Sequence, residues 1–223
     1  QALSYMINRN VITDQILQAG QAPAYNFTHW ATAGFEMPEI DYASWSQEER
    51  QQRAMELMEE AGYGPSNPIE IDLIYNTSEN HRQIATVVSQ MWRPLGVTVN
   101  LSNFEWQSYL DIRGNQNFDV ARSAWCGDYN EASTFLDLLT SRNANNDGKF
   151  QSEEVDRLMA ESATMADPQP NYTRVEEILA EEMAIIPIYH YTQNFVLDPA
   201  IRNWPMENVE NNWYVRDIYR VAE

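Results

Sequence analysis

The most informative segment of the chain reads Phe118-Asp119-Val120-Ala121-Arg122-Ser123-Ala124-Trp125-Cys126-Gly127-Asp128-Tyr129-Asn130. Its apolar start predicts a strand over residues 118–124 that is buried on both faces, followed by a loop that carries Asp128. The carboxyl end of such a strand is where open α/β sheets place ligand sites. Asp is also a common turn residue, so the segment alone fits either a site or a simple turn.

Helical and strand patterns alternate along the rest of the chain. Strands are predicted over residues 69–75, 97–101 and 185–191, and helices over residues 2–17, 46–61, 79–92, 106–112, 132–139, 154–166 and 172–183. Ser46 and Glu49 fit a capping box, and Asn76-Thr77-Ser78 is expected to cap the helix that follows it. The sequence therefore predicts an α/β fold with a mixed sheet flanked by helices over residues 1–195, and an extended tail over residues 196–223.

Composition excludes several classes of partner and site. The formal net charge is −19, from 33 acidic and 14 basic residues, which argues against a nucleic-acid partner. No apolar stretch is long enough for a membrane span, and no signal-peptide pattern is present. The single cysteine, Cys126, cannot form an internal disulfide, and the three histidines lack the spacing of a metal site. We expect no metal and no cofactor.

From the residues alone, two other functions stay open. Residues 143–154 have the spacing of an EF-hand loop, with Gly148 at the turn and Glu154 at the bidentate position, but Asn143 replaces the usual first Asp. A polar loop before a helix explains this stretch more simply, and a calcium-binding module stays an alternative. A carboxylate-dependent hydrolase is the weaker one, because no acidic pair has a distinguishing motif.

Several motifs together resemble one family, and they stand at Tyr75-Asn76-Thr77-Ser78-x-x-His81, Glu105-Trp106-x-x-x-Leu110-Asp111-x-Arg113, Phe118 to Arg122, Trp125-Cys126-x-Asp128-Tyr129-Asn130 and Tyr214 to Val221. They closely resemble the C-terminal part of periplasmic oligopeptide-binding proteins, the family 5 solute-binding receptors of peptide ABC transporters. The resemblance extends over essentially the whole chain. It implies the C-terminal lobe of a two-lobed periplasmic-binding-protein fold of type II, cluster C.

The resemblance also implies what surrounds this lobe. Such receptors are more than twice this length, so we expect a fragment whose N-terminal lobe and signal peptide are not in view. The tail would return to that missing lobe. The implied function is capture of short peptides in the periplasm and delivery to an inner-membrane ABC permease, without enzymatic activity. A receptor for cell-wall peptides or another small solute is the alternative within the class.

The resemblance assigns roles to individual residues. Asp128 would pair with the α-ammonium of the peptide, and the main chain around Ala124 and Cys126, with Trp125 between them, would lie alongside the ligand. Trp106 would line a side-chain pocket, and Arg113 would be a nearby polar contact. The disulfide partner of Cys126 would lie upstream of Gln1.

For the peptide carboxylate the resemblance implies Arg122 and His81, each at a different peptide length. Arg122 offers a planar fork of donors, and His81 lies in the first turn of a helix, where the dipole favours an anion. A third basic residue of the family, expected near Gln18, is absent from this chain. Gly114 stands where the family usually has a bulkier residue, so we expect an altered pocket.

Overall fold

The computed structural model describes residues 1–206, 208–209 and 211–221. The helices are α1 (Ala2–Met6), α2 (Asp41–Ser44), α3 (Gln47–Glu60), α4 (Glu79–Trp92), α5 (Trp106–Gly114), α6 (Ser133–Leu136), α7 (Glu153–Ser162) and α8 (Gln169–Glu182). The strands are β1 (Ala22–Pro23), β2 (Ile69–Asn76), β3 (Val97–Phe104), β4 (Val120–Ala121), β5 (Tyr189–His190), β6 (Ile201–Arg202) and β7 (Tyr219–Arg220). A π-helical segment spans Val11–Leu17.

A parallel sheet of order β3-β2-β4 positions the site described below. Strands β2 and β3 pair from Ile69 and Val97 to Asn76 and Phe104. Parallel neighbours need long crossovers, and α4 and α5 provide them. The α/β class is thus confirmed. Among the described residues, the antiparallel pairs β1–β5 and β6–β7 form sheets of their own, so the expected mixed sheet is not found there.

Two hydrophobic clusters stabilise residues 1–195. The first packs β2 and β3 against α1, α3 and α4, with Ile7, Trp92 and Leu95 almost fully buried. The second joins α6, α7 and α8 through Leu136 and Val155. Burial of this apolar surface is the main favourable contribution to folding of this part of the chain.

The predicted helix starts have mixed outcomes. The capping box is confirmed, because Ser46 Oγ accepts from the Glu49 N–H at 3.2 Å and Glu49 Oε2 accepts from the Ser46 N–H at 2.7 Å. The cap of α4 was predicted wrongly. Ser78 stands at the N-cap but makes no side-chain capping bond, and Thr77 Oγ1 donates instead to the Phe104 carbonyl at 3.1 Å.

The predicted helix over residues 2–17 is interrupted at Ile7 and Asn8. Arg9 lies between α1 and the π-helical segment with 1% of its surface exposed. Its guanidinium donates to the carbonyl oxygens of Ser4 and Ile7, at 3.1 and 3.4 Å. A continuous helix would give these acceptors to backbone N–H groups, so the buried Arg9 competes with helical pairing.

The predicted strand over residues 118–124 is wrong in length and in burial. Only Val120–Ala121 is a strand, both residues are half-buried, and Ser123 and Ala124 are exposed. Within the described ranges, strand β4 pairs with β2 and with no other strand, so it lies at the edge of this sheet. The predicted strand over residues 185–191 is likewise reduced to Tyr189–His190.

The described residues of the tail, 196–223, contact one another through a strand pair, an ion pair and an aromatic contact. Strands β6 and β7 pair, Arg220 Nη2 lies 3.0 Å from Asp198 Oδ2, and the Trp204 and Trp213 rings are 4.9 Å apart. Just before the tail, Thr192 and Asn194 donate to the Ala19 carbonyl at 2.9 and 2.8 Å.

Candidate functional site

Two basic residues, Arg122 and His81, meet at the carboxyl edge of the parallel sheet. Arg122 follows β4, and its N–H donates to the Ile74 carbonyl of β2 at 2.9 Å. His81 lies in the first turn of α4, close after the end of β2. Arg122 Nη1 donates to Asn76 Oδ1 at 3.5 Å, and His81 Nδ1 lies 3.2 Å from the Asn76 carbonyl oxygen. The sheet therefore brings Arg122 and His81 to one place.

The charge of Arg122 is not compensated within the described part of the chain. Its guanidinium bonds to the neutral groups Asn76 Oδ1 and the Tyr191 hydroxyl, and no carboxylate forms an ion pair with it there. Burial raises the pKa of the neighbouring Tyr189, so its phenol stays neutral beside Arg122. A partly buried guanidinium with only neutral partners can accept an anionic ligand.

His81 is electrically neutral in the ligand-free protein near neutral pH. Burial and, secondarily, the charge of Arg122 lower its pKa. Because a carbonyl oxygen only accepts, the proton of neutral His81 is on Nδ1, which leaves Nε2 as an acceptor. His81 can donate to an anion through Nε2 only when it is protonated.

The Asp128 loop has a fixed backbone and a free carboxylate. The Asp128 N–H donates to Thr134 Oγ1 at 2.9 Å, and Asn130 Oδ1 accepts from the Ala33 N–H at 2.8 Å. A Cβ atom on Gly127 would lie 2.9 Å from Thr134 Cγ2, so the loop packs closely on α6. The Asp128 side chain is exposed, and among the described residues no hydrogen bond or ion pair to its carboxylate occurs. It can therefore receive a cation.

The main chain between these two charged residues is unpaired. Within the described structure, the N–H groups of residues 123–126 donate no hydrogen bond, and Ala124 and Cys126 are exposed. Trp125 is half-buried, and its Nε1 is buried without a partner there. A segment outside regular structure with free N–H groups is suited to pairing with an extended chain.

The two remaining predicted contacts on α5 differ from each other. Trp106 is 54% exposed and stacks on Tyr109 with 6.2 Å between ring centroids, so it can contact a ligand. Arg113 forms an ion pair with Asp147 and lies 5.5 Å from the Tyr109 ring centroid. Its charge is already compensated inside the protein.

Sequence reasoning missed the residues that support the site. Tyr109 is fully buried and its hydroxyl donates to the Arg122 carbonyl, and burial raises its pKa to about 12. Tyr191 and Thr134 contact Arg122 and Asp128 directly. Trp106 and Tyr109 are three residues apart and therefore lie on one side of α5. This spacing could have predicted from the sequence that Tyr109 lies near the site.

The EF-hand-like loop uses its polar groups within the protein. Asn146 is 2% exposed, and its amide bonds to the carbonyl oxygens of Thr140 and Phe150, at 3.1 and 2.8 Å, and to the Phe150 N–H at 3.0 Å. Asp147 pairs with Arg113, and Glu154 Oε1 lies 3.2 Å from Arg174 Nε. Among the described residues, no group of three or more His, Cys, Asp or Glu side chains is arranged to hold a metal ion.

Cys126 has an exposed free thiol in this chain, and its pairing with an upstream cysteine stays a prediction. None of the helices in the described ranges is long and apolar enough to cross a membrane.

Comparison with known proteins gives consistent matches. The model of the bacterial extracellular solute-binding proteins, family 5 Middle, matches residues 1–147. The periplasmic murein peptide-binding protein MppA of Escherichia coli is 42% identical over 99% of this chain and 42% of its own length. The periplasmic oligopeptide-binding protein OppA of Salmonella typhimurium is 36% identical over 98% of this chain and 41% of its own length.

Solved structures agree with this assignment. The Escherichia coli murein tripeptide-binding protein MppA superposes with a TM-score of 0.91 at 42% identity, over 100% of this chain and 44% of that one. Haemophilus influenzae OppA in complex with RPPGFSPFR gives a TM-score of 0.86 at 34% identity, over 99% of this chain and 44% of that one. These neighbours confirm the expected type II periplasmic-binding-protein fold. The chain spans about two-fifths of the length of the curated relatives it matches. The chain belongs to family 5 of the bacterial extracellular solute-binding proteins.

Proposed function

We propose that this chain is the peptide-binding lobe of an ABC-transporter receptor that captures short peptides in the periplasm and passes them to an inner-membrane permease. The observation that carries the proposal is the arrangement of Asp128 and Arg122. These opposite charges are both unpaired within the described residues, and they stand at the two ends of a main-chain segment with free N–H groups.

Each part of a peptide has a matching group here. The α-ammonium pairs with the Asp128 carboxylate in a charge-assisted hydrogen bond, and the C-terminal carboxylate pairs with Arg122 or with protonated His81. The peptide main chain lies along Ala124 to Cys126, and this pairing does not depend on peptide side chains. Trp106 contributes an aromatic surface to a side-chain pocket.

The spacing of the two charges limits ligand length. Asp128 lies six positions after Arg122, so their Cα atoms are at most roughly 22 Å apart. An extended peptide of about six residues spans the same distance. The site is therefore suited to short peptides bound through both ends.

The greater length of the relatives supports a second lobe that would cover the ligand from the opposite side. We place the ligand-binding lobe at residues 1–195 and assign the tail, residues 196–223, to contacts with another lobe of the full-length protein. Closure of two lobes would exclude water from Asp128 and Arg122 and would strengthen both ion pairs. The lobe would act by binding alone, with no chemical step.

A receptor for murein peptides is the second candidate. It is favoured by one observation, the 42% identity to a murein peptide-binding protein against 36% to an oligopeptide-binding protein. The two candidates share the same charged groups and differ in the ligand between them.

Mass spectrometry of the ligands that co-purify with the full-length periplasmic protein tests the proposal. Peptides of about two to six residues with both termini free are expected. Murein peptides as the dominant ligands would support the second candidate, and a non-peptide solute as the dominant ligand would contradict both.

A further inference from the structure

A carboxylate with no role in the proposed ligand contacts is completely buried beneath the loop that precedes α2. Glu176, in the middle of α8, has 1% of its surface exposed. Its Oε2 accepts from the Phe27 N–H at 3.0 Å and its Oε1 accepts from the Thr28 N–H at 2.6 Å. No basic side chain in the described ranges forms an ion pair with it. Burying a carboxylate without hydrogen bonds would cost free energy. The two hydrogen bonds to Glu176 are therefore strongly favoured, and they fix the main chain at residues 27 and 28.

From this point, contacts lead to the Asp128 loop. The Phe27 ring packs edge-on against the Phe135 ring of α6, with 5.8 Å between centroids. Phe135 and Thr134 in turn lie against Gly127, where a Cβ atom would come within 3.2 Å of Phe135 Cζ. Thr134 Oγ1 then accepts from the Asp128 N–H at 2.9 Å.

A second connection joins the same two loops farther along. The Ala33 N–H donates to Asn130 Oδ1 at 2.8 Å. This bond connects a residue five positions after Thr28 to a residue two positions after Asp128. The Asp128 loop is thus connected twice to the segment whose start is fixed by Glu176, once through α6 and once directly.

We propose that Glu176 is a positioning residue that places the Asp128 carboxylate for the ammonium group of a bound peptide. This role rests on the proposed peptide-binding function. Glu176 does not touch the ligand. It acts through Phe27, Phe135 and Thr134, because a shift of the Phe27–Thr28 main chain moves the surface on which Gly127 and Asp128 rest.

The substitution E176Q tests this role. Glutamine keeps the shape of the side chain but turns one acceptor into an NH₂ donor that faces a backbone N–H, so one of the two bonds is lost. The measurement is calorimetric titration of the full-length protein with tri-alanine and with N-acetyl-tri-alanine, which lacks the ammonium group. E176Q is expected to weaken tri-alanine tenfold or more and the acetylated peptide less than threefold.

Glu177 provides a matched control, because it is the next residue and its carboxylate pairs with Arg174 at 3.2 Å on the surface. E177Q is expected to leave both affinities unchanged. Equal losses for both peptides in E176Q, or no loss for either, would overturn the positioning role. If E176Q does not fold, F27L cuts the ring contact with Phe135 while keeping both main-chain bonds, and the same selective loss is expected. A wild-type protein that binds no free-amine peptide would instead refute the proposed function, and this role with it.

Discussion

Arg122 and His81 contact the same residue from two sides. Arg122 Nη1 lies 3.5 Å from the Asn76 side-chain oxygen, and His81 Nδ1 lies 3.2 Å from the Asn76 main-chain oxygen. The charge of Arg122 contributes to lowering the pKa of His81. The pair thus presents one permanent cation and one group that becomes cationic when the pH falls or an anion binds.

The permanent cation leads to a prediction on ligand carboxylates. In the full-length protein, R122Q should weaken a peptide with a free C-terminal carboxylate on the order of a hundredfold, because a charge-assisted bidentate contact is lost. The corresponding C-terminal amide should lose much less, as calorimetry would show. R113Q is the matched control, since Arg113 already pairs with Asp147, and it should affect stability more than this selectivity. Equal losses for carboxylate and amide would mean that Arg122 only supports the sheet edge.

His81 should make peptide binding depend on pH. Its neutral form holds the proton on Nδ1, so only the protonated form donates Nε2–H to a carboxylate. Since the pKa of His81 is lowered in the free protein, a bound carboxylate raises it, and binding takes up a proton. Affinity for at least one peptide length should rise about threefold to tenfold between pH 7.5 and 5.5. H81Q should abolish this rise, and an equal pH dependence in H81Q would exclude His81 as its source.

Features that depend on neighbouring residues were predicted correctly more often than features that depend on contacts between distant residues. The capping box at Ser46 was predictable because both of its partners lie within four residues. The break at Ile7 and Asn8 was not predictable, because the Arg9 guanidinium that binds the nearby carbonyl oxygens also donates to the carbonyl oxygen of Pro187, 178 residues away. The length of β4 was overestimated because an apolar run does not reveal that a strand lies at a sheet edge.

The same distinction applies to the site. The resemblance assigned ligand contacts to Asp128, Arg122 and His81; these roles stay predictions, and the structure describes the surroundings of each residue. The resemblance could not show that Arg113 forms an ion pair within the protein, because its partner Asp147 is 34 residues away along the chain. The contact between Arg122 and Tyr191 spans 69 residues and has no sequence signal of its own.

The buried histidine His190 should make the protein less stable in acid. Burial and, secondarily, His29 lower the pKa of His190 from 6.5 to about 4. A lowered histidine pKa gives stability that is complete above pH 6.5 and is lost as the pH falls toward 4, with a maximum of about 3 kcal/mol. H190F keeps an aromatic ring beside Trp30, so its thermal midpoint should drop less between pH 7 and pH 4.5. H81Q should not reduce the drop as much, and an unchanged drop in H190F would contradict this assignment.

The loop around Asn146 should respond to substitution and not to calcium. N146A removes three hydrogen bonds from a buried position and should destabilise the protein by about 2 kcal/mol or more. N145A, at an exposed neighbouring position, should change stability little. Calcium should leave the unfolding midpoint of the wild type unchanged. A clear rise with calcium, lost in E154Q, would support the EF-hand interpretation instead.

The free carboxylate of Asp128 is the proposed partner of the ammonium group of a peptide. In the full-length protein, D128N keeps the side-chain shape and removes the charge. Hydrogen bonds to charged groups are worth roughly 1.5–3 kcal/mol, and an unpaired buried charge costs about 3–5 kcal/mol. D128N should therefore weaken a free-amine peptide on the order of a hundredfold or more.

The most direct measurement is a double-mutant cycle between this residue and the ligand. Calorimetry gives the dissociation constants of wild type and D128N for a short peptide and for its N-acetylated form, and the coupling between the two changes reports the contact itself. We expect the acetylated peptide to bind the wild type weakly and to lose little more in D128N. Equal losses for the free and acetylated peptides would show instead that Asp128 only supports its loop and does not bind the ammonium group.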